Sequence, residues 1–302
     1  MLKKPMVFFA VLTLLVGCSS TLFAQELKSP VGAKHVVWIG SDGFGSHYLD
    51  WDELPNLRAM RDSGAWTLHM RSMLPSSSAI NWESQLAGAP SEMHGHLTWR
   101  SREPDIPPIY RNEQGRFPDI FRVLKDQKPD FKGTVAHSWI GIGFLYDRDA
   151  VSAETRVKND DVLQAARAHL ATQPDFAFIC FSEPDPTGHN VGWGTPEYHK
   201  ALQFIDGCVG KIFECLKENG YTSEDTVVIF TSDHGGSGQG HGDPLMEHME
   251  VPFLIWGAGV QPGEIKDVVA NFDVASTIAW VLGAEQPQCW RGQCVKAAFE
   301  KK

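Results

Sequence analysis

Three apolar runs of this chain end in residues that bind metals. "VVWIGSDGFG" leads to Asp42 and "FAFICFSEPDPTGHN" to Asp185 and His189. "VVIFTSDHGG" leads to Asp233 and His234, and His241 follows in "GQGHGD". An Asp-Gly after a strand is ordinarily a turn, and an isolated histidine is ordinarily structural or merely exposed. Six ligand-type residues beyond three apolar runs, each among glycines that let backbone approach closely, form a pattern that neither explanation covers. Mixed imidazole and carboxylate sets suit zinc, with manganese or iron as alternatives. Two such ions about 4 Å apart would clamp the attacking and leaving oxygens of a phosphoryl transfer.

Local spacing constrains how these residues can meet. Asp185 and His189 are four apart, the spacing of one helix face, yet Pro184, Pro186 and Gly188 oppose an ordinary helix. A loop that turns both side chains onto one ion is therefore expected. Adjacent Asp233 and His234 would face opposite ways in a strand, so the chain must leave the sheet there, and Gly235-Gly236 supply the break. A nucleophile is offered by "MLPSSSAINWESQLAG", three serines between a strand and a helix. Ser78 stands at the expected N-cap. It either caps the helix, or its hydroxyl, at a positive helix end beside a metal, loses its proton and attacks phosphorus. Local sequence weighs these equally, and the ligand set favours the second. Asn81, one turn on, is placed to donate its amide to a non-bridging oxygen.

The elements that must hold these residues read as alternating strands and helices. Strands are expected at 35–40, 66–73, 133–139, 175–181, 226–232 and 252–257. Helices are expected at 54–64, 78–88, 161–171, 195–220 and 273–283, the fourth opened by Thr-Pro and closed by Gly. Continuous apolar strands in this order predict an α/β fold: a mostly parallel central sheet with helices on both faces, and chemistry beyond the carboxyl ends of the strands. The stretch 98–131, rich in proline and charge, is expected to be an irregular insertion near the site.

The chain has 302 residues, 42% hydrophobic, with a formal charge of −10. Residues 1–24 read as a signal peptide and 25–302 as a single catalytic domain. Lys3 and Lys4 precede thirteen uncharged residues, Pro5 to Gly17, a run too short for a comfortable membrane span. Losing both lysines takes the mature chain to −10 − 2 = −12. An acidic surface argues against sequence-independent nucleic-acid binding but not against a small phosphorylated substrate, because a bound metal dominates its local field. Leu15-Val16-Gly17-Cys18 matches a lipobox that would leave Cys18 lipidated, the one membrane attachment expected; cleavage after Ala24 is the alternative. Either route exports the protein, to the periplasm, to the outer membrane as a lipoprotein, or into the medium. Cys208 and Cys215, seven apart on a helical pattern, are roughly 10 Å apart and cannot bridge. Cys289 and Cys294 flank a turn and are candidates for pairing.

With these motifs in order, the chain resembles the alkaline phosphatase superfamily, in the branch of type I phosphodiesterases and nucleotide pyrophosphatases. The resemblance runs from about residue 35 to 296. It rests on "SDGFG", "PSSSAINW…LAGAPSEMHG", "EPDPTGH", "SDHGG", "GHGD" and the closing "DVASTIAWVLGAEQPQCWRGQCV". It implies one metal on Asp185, His189 and His241, a second on Asp42, Asp233 and His234, Ser78 as nucleophile, and Asn81 holding the transferred group. The implied reaction is hydrolysis of phosphodiesters or nucleotide pyrophosphates in two displacements through a phosphoserine. The branch usually carries threonine where Ser78 stands; serine belongs to the monoesterases, so a phosphomonoesterase or phosphonate hydrolase is the alternative within the superfamily. An exported, non-catalytic metal-binding protein is the alternative outside it. The sulfatase signature needs proline and arginine where Ile80 and Trp82 stand. Phe44, Trp82 and Trp99 are candidates to stack a base or an aryl leaving group, and Arg100 is a candidate phosphate contact. His94 and His96 are left out of the metal sets.

Overall fold

A computed structural model describes residues 27–301. Its eight strands are β1 (His35–Ser41), β2 (Ala65–Arg71), β3 (Gly133–His137), β4 (Ala153–Arg156), β5 (Phe176–Phe181), β6 (Thr226–Thr231), β7 (Glu250–Gly257) and β8 (Gly263–Glu264). They form one sheet in the order β4-β3-β5-β1-β6-β7-β2-β8. The run from β4 to β6 is parallel throughout, while β7 is antiparallel to both β6 and β2. The helices are α1 (Pro55–Ser63), α2 (Ser78–Ala87), α3 (Ser91–His94), α4 (Ile120–Gln127), α5 (Val162–Leu170), α6 (Asp185–Val191), α7 (Pro196–Glu218), α8 (Met246–Met249) and α9 (Asp273–Val281).

The apolar runs are continuous because both faces of the sheet are covered. Along β1, Val36 and Trp38 point into one core with residues of α2, α4 and α9. Val37 and Ile39 point into the other, with residues of α1, α5 and α7. The long helix α7 starts where Thr195 accepts a hydrogen bond from the Tyr198 N–H and Pro196 occupies the first turn. The central pair β1 and β6, neighbours by register, deliver Asp42 and Asp233 just beyond their carboxyl ends, and β5 delivers Asp185 beside them.

Two expectations are corrected. The segment after β5 is not a loop: α6 covers Asp185–Val191. Pro184 is its N-cap and Pro186 lies in its first turn, where no intrahelical N–H is required, so the prolines start the helix instead of forbidding it. The stretch 98–131 is not irregular throughout, because Asp119 accepts hydrogen bonds from the Phe121 and Arg122 N–H groups and opens α4. Cys289 and Cys294 are free thiols, as are Cys180, Cys208 and Cys215. The leader and Cys18 lie outside the described residues. Among the described residues no helix is long and apolar enough to cross a membrane.

Candidate metal centre

Two triads gather beyond the strand ends, each with its ligand atoms within 4.8 Å of one another: Asp42, Asp233 and His234, and Asp185, His189 and His241. In the first, the His234 Nε2 atom lies 3.4 Å from Asp42 Oδ1 and 3.3 Å from Asp233 Oδ2. In the second, His189 Nε2 lies 3.4 Å from Asp185 Oδ1 and 3.2 Å from His241 Nε2. The His234 and His241 rings stack at 3.8 Å, so the triads are contiguous.

The surroundings orient these groups for a cation. Each imidazole turns Nδ1 to a backbone carbonyl: His189 to Gln239 at 3.0 Å, His234 to Gly235 at 2.8 Å, and His241 to Ser76 at 2.8 Å. Nδ1 therefore carries a proton, and all three Nε2 atoms face the ligand cluster. One carboxylate oxygen in each triad, Asp185 Oδ1 and Asp233 Oδ2, is buried without a hydrogen-bond partner. Burial, reinforced by the Asp233 charge, pushes the Asp42 carboxyl well above the ordinary range. Burial does the same to Asp233 and takes Asp185 up to about 6. It also holds His234 well below the usual imidazole value and brings His241 down to about 4. Among the described residues no lysine or arginine forms an ion pair with any of these carboxylates. Clustered carboxylates with imidazole Nε2 atoms turned to them and no lysine or arginine pairing with them are a donor set that fits divalent metal.

Ser78 belongs to the same constellation. Its Oγ lies 3.4 Å from Asp42 Oδ1 and 3.2 Å from His234 Nε2. The N-cap of α2 is Ser77, whose side chain makes no capping bond, and Ser78 is the first helical residue. The hydroxyl of Ser78 is therefore turned to the ligands and caps nothing. Helix α2 is locked to the frame: Gln85 donates to the Ser232 carbonyl at 3.0 Å, and Trp82 Nε1 donates to Asp42 Oδ2 at 3.2 Å.

The sequence model of the type I phosphodiesterase / nucleotide pyrophosphatase family matches residues 36–239. The chain belongs to this family. The match takes in Ser78 and every ligand but His241, two residues past its end. Similar proteins of the family include a venom phosphodiesterase of Macrovipera lebetinus, 26% identical over 236 residues, which are 72% of this chain and 27% of the venom protein. Ectonucleotide pyrophosphatase/phosphodiesterase family member 3 of Bos taurus is 25% identical over 232 residues, 70% of this chain and 26% of that protein. The chain thus spans about a quarter of the length of these curated relatives. In shape it is similar to murine ectonucleotide pyrophosphatase/phosphodiesterase 5 in complex with AMP, with a TM-score of 0.68 and 14% identity, covering 83% of this chain and 96% of that one. A 2-O GAG sulfatase superposes at a TM-score of 0.71 with 12% identity, covering 88% and 74%. Both likenesses concern the fold.

Other expectations for this family member's site are corrected by its geometry. The Asn81 amide does not face the triads. Its Oδ1 accepts from the Met73 N–H at 2.7 Å and from Asn271 Nδ2 at 2.6 Å, and its Nδ2 donates to the Ser77 carbonyl at 3.0 Å. Asn81 clips the 73–77 segment in front of Ser78 and has no spare donor aimed at a substrate. Phe44 and Trp82 are fully buried: Phe44 packs edge-on against Phe230, and Trp82 serves Asp42. Neither can stack a ligand. Trp99 does lie open, 55% exposed, and its carbonyl accepts from the Ala79 N–H at 3.1 Å, beside Ser78. The exposed Arg100 sits over its ring at 5.5 Å. Ser76, which anchors His241, and His248, which accepts from the Asp243 N–H at 3.2 Å and bonds Ser237 at 2.7 Å, hold the His241 arm. Sequence carries no sign of the first, since the contact is a backbone carbonyl. A second histidine close behind His241 is the only sign of the other.

Proposed function

We propose that the chain hydrolyses phosphoric diesters or pyrophosphates, using two divalent ions held by the two triads and a phosphoserine on Ser78. The observation that carries this is the position of Ser78 Oγ, within 3.4 Å of ligands of the buried triad at the positive end of α2. The names of the relatives, phosphodiesterases and nucleotide pyrophosphatases, support the same reaction class. When bound, the ions, zinc by the donor set, supply Lewis-acid charge at the attacking and leaving oxygens. The protein's own part is to hold Ser78 in line. The helix end favours the oxyanion of Ser78, and the Asn81 clip fixes the approach of the serine segment. Ser78 Oγ forms a bond to phosphorus as the bond to the leaving alcohol or phosphate breaks. Water then cleaves Oγ–P and restores the serine. The diester preference is supported by the relatives' names, phosphodiesterase and nucleotide pyrophosphatase/phosphodiesterase.

The test is Ser78→Ala. Turnover of bis-p-nitrophenyl phosphate is expected to fall on the order of a thousandfold or more, with both ions retained by metal analysis. Unchanged turnover would rule out the covalent route. Faster hydrolysis of mono- than of bis-p-nitrophenyl phosphate would overturn the diester preference.

A further inference from the structure

Trp193 touches every segment that carries a ligand. It is buried, 5% exposed. Its indole Nε1 donates to the Gly43 carbonyl at 3.0 Å, one residue past Asp42. Its backbone N–H donates to the Gly238 carbonyl at 2.8 Å, between His234 and His241. The ring meets His189 edge-on at 5.3 Å and His241 at 6.0 Å.

Two glycines are cut to its shape. A Cβ at Gly188, between Asp185 and His189, would lie 2.6 Å from the indole, and one at Gly236, two past His234, would lie 2.4 Å from it. Neither glycine has a left-handed φ, so neither is required by backbone conformation. Space for the indole is what they supply. The glycines flanking Trp193 are different: Gly192 and Gly194 have φ of +102° and +75°, so the chain turns on both sides of the residue.

We infer that Trp193 is a positioning residue that sets the exposed triad against the buried one, acting through the Gly43, Gly188 and Gly236 backbones. It touches no reacting atom. This inference rests on the proposed two-ion site. Second-layer partners of metal ligands are worth about 10–100-fold in affinity, and the indole buttresses two of the three exposed ligands.

The experiment is a chelator-competition titration of zinc on the full chain, with the step belonging to the exposed triad assigned by its loss in His241→Ala. Trp193→Leu is expected to weaken that step about 10–100-fold and to leave the buried step within about threefold. Gly236→Ala is expected to weaken the exposed step too, and the double variant Gly236→Ala/Trp193→Leu to bind no more weakly than Trp193→Leu alone, because the clash leaves with the ring. If Trp193→Leu does not fold, Trp193→Phe, which lacks Nε1 and the second ring, is read the same way. Wild-type affinity at both steps in the foldable variant overturns the inference and leaves the proposed function standing. Additive losses in the double variant overturn the packing argument. A wild-type chain that binds no ion overturns the proposed function and this inference together.

Discussion

The two triads contain the same chemistry in different settings. Asp42, Asp233 and His234 are buried at the tips of adjacent central strands. Asp185 and His189 sit on a seven-residue helix and His241 on a loop, with the His189 side chain 45% exposed. Sheet hydrogen bonds place the first set. The second is placed by side chains and carbonyls of segments that have no sheet partner beyond short bridges. Rigidity differs accordingly: central strands open only near global unfolding, and peripheral segments open at lower cost. The buried triad is a fixed post, and the exposed triad is an assembly whose parts must be held.

Breaking the post is expected to have the largest effect. Asp233→Asn should abolish the buried ion and lower turnover about a thousandfold or more, read by metal analysis and bis-p-nitrophenyl phosphate hydrolysis. Without metal the sign reverses. The Asp233 carboxyl is raised well above its unfolded value by burial, so the stability it contributes is present below the unfolded pKa and lost as pH rises. Metal-free Asp233→Asn is therefore expected to melt higher than metal-free wild type at neutral pH; a lower Tm would contradict the burial argument.

Breaking the assembly comes next. His241→Ala should lose only the exposed ion, with turnover down on the order of a hundredfold; loss of both ions would show that the triads are not separable. A milder way to sharpen the contrast is pH. Asp185, raised to about 6, takes up a proton below that pH, whereas His241, lowered to about 4, stays neutral through the same window. Ligands must be deprotonated to bind. Loading of the exposed triad is therefore expected to decline as pH falls from 6 toward 4, and Asp185→Asn should remove much of the affinity. The smallest functional effect is expected at a residue that belongs to neither triad. Asp206 on α7 accepts from the Leu57 N–H at 2.7 Å and from Asn56 Nδ2 at 2.7 Å, supplying the cap that α1 lacks. Asp206→Ala is expected to cost about 1–2 kcal/mol in denaturant unfolding and to leave kcat unchanged.

The difference between the triads also decides what the sequence disclosed. Strands β1, β5 and β6 are legible because burial on both faces makes them continuous apolar runs, and their ends point directly to Asp42, Asp185 and Asp233. Strand β4, "AETR", is a sheet edge with partly exposed side chains and leaves no such pattern. Helix α6 is misread because proline counts against a helix everywhere except in the first turn, and only the structure shows where that turn begins. Asn81 has the right chemistry but a local claim on its amide, the 73–77 segment, takes precedence. Trp82 and Phe44 look like binding aromatics because a tryptophan one turn from a nucleophile reads the same whether it faces out or in.

The bridge between Ser76 and Gly242 joins the arm of His241 to the segment that leads into Ser78 and α2. His241 Nδ1 and the Ser76 carbonyl reinforce it. Under the proposed two-ion mechanism these contacts would couple the outer ion to the placement of Ser78. A chain that loses an ion from the exposed triad is then expected to lose the placement of the Ser78 segment as well. Amide exchange at residues 76–78 that quickens on chelation, together with exchange at 240–242, is the signature expected of that interlock.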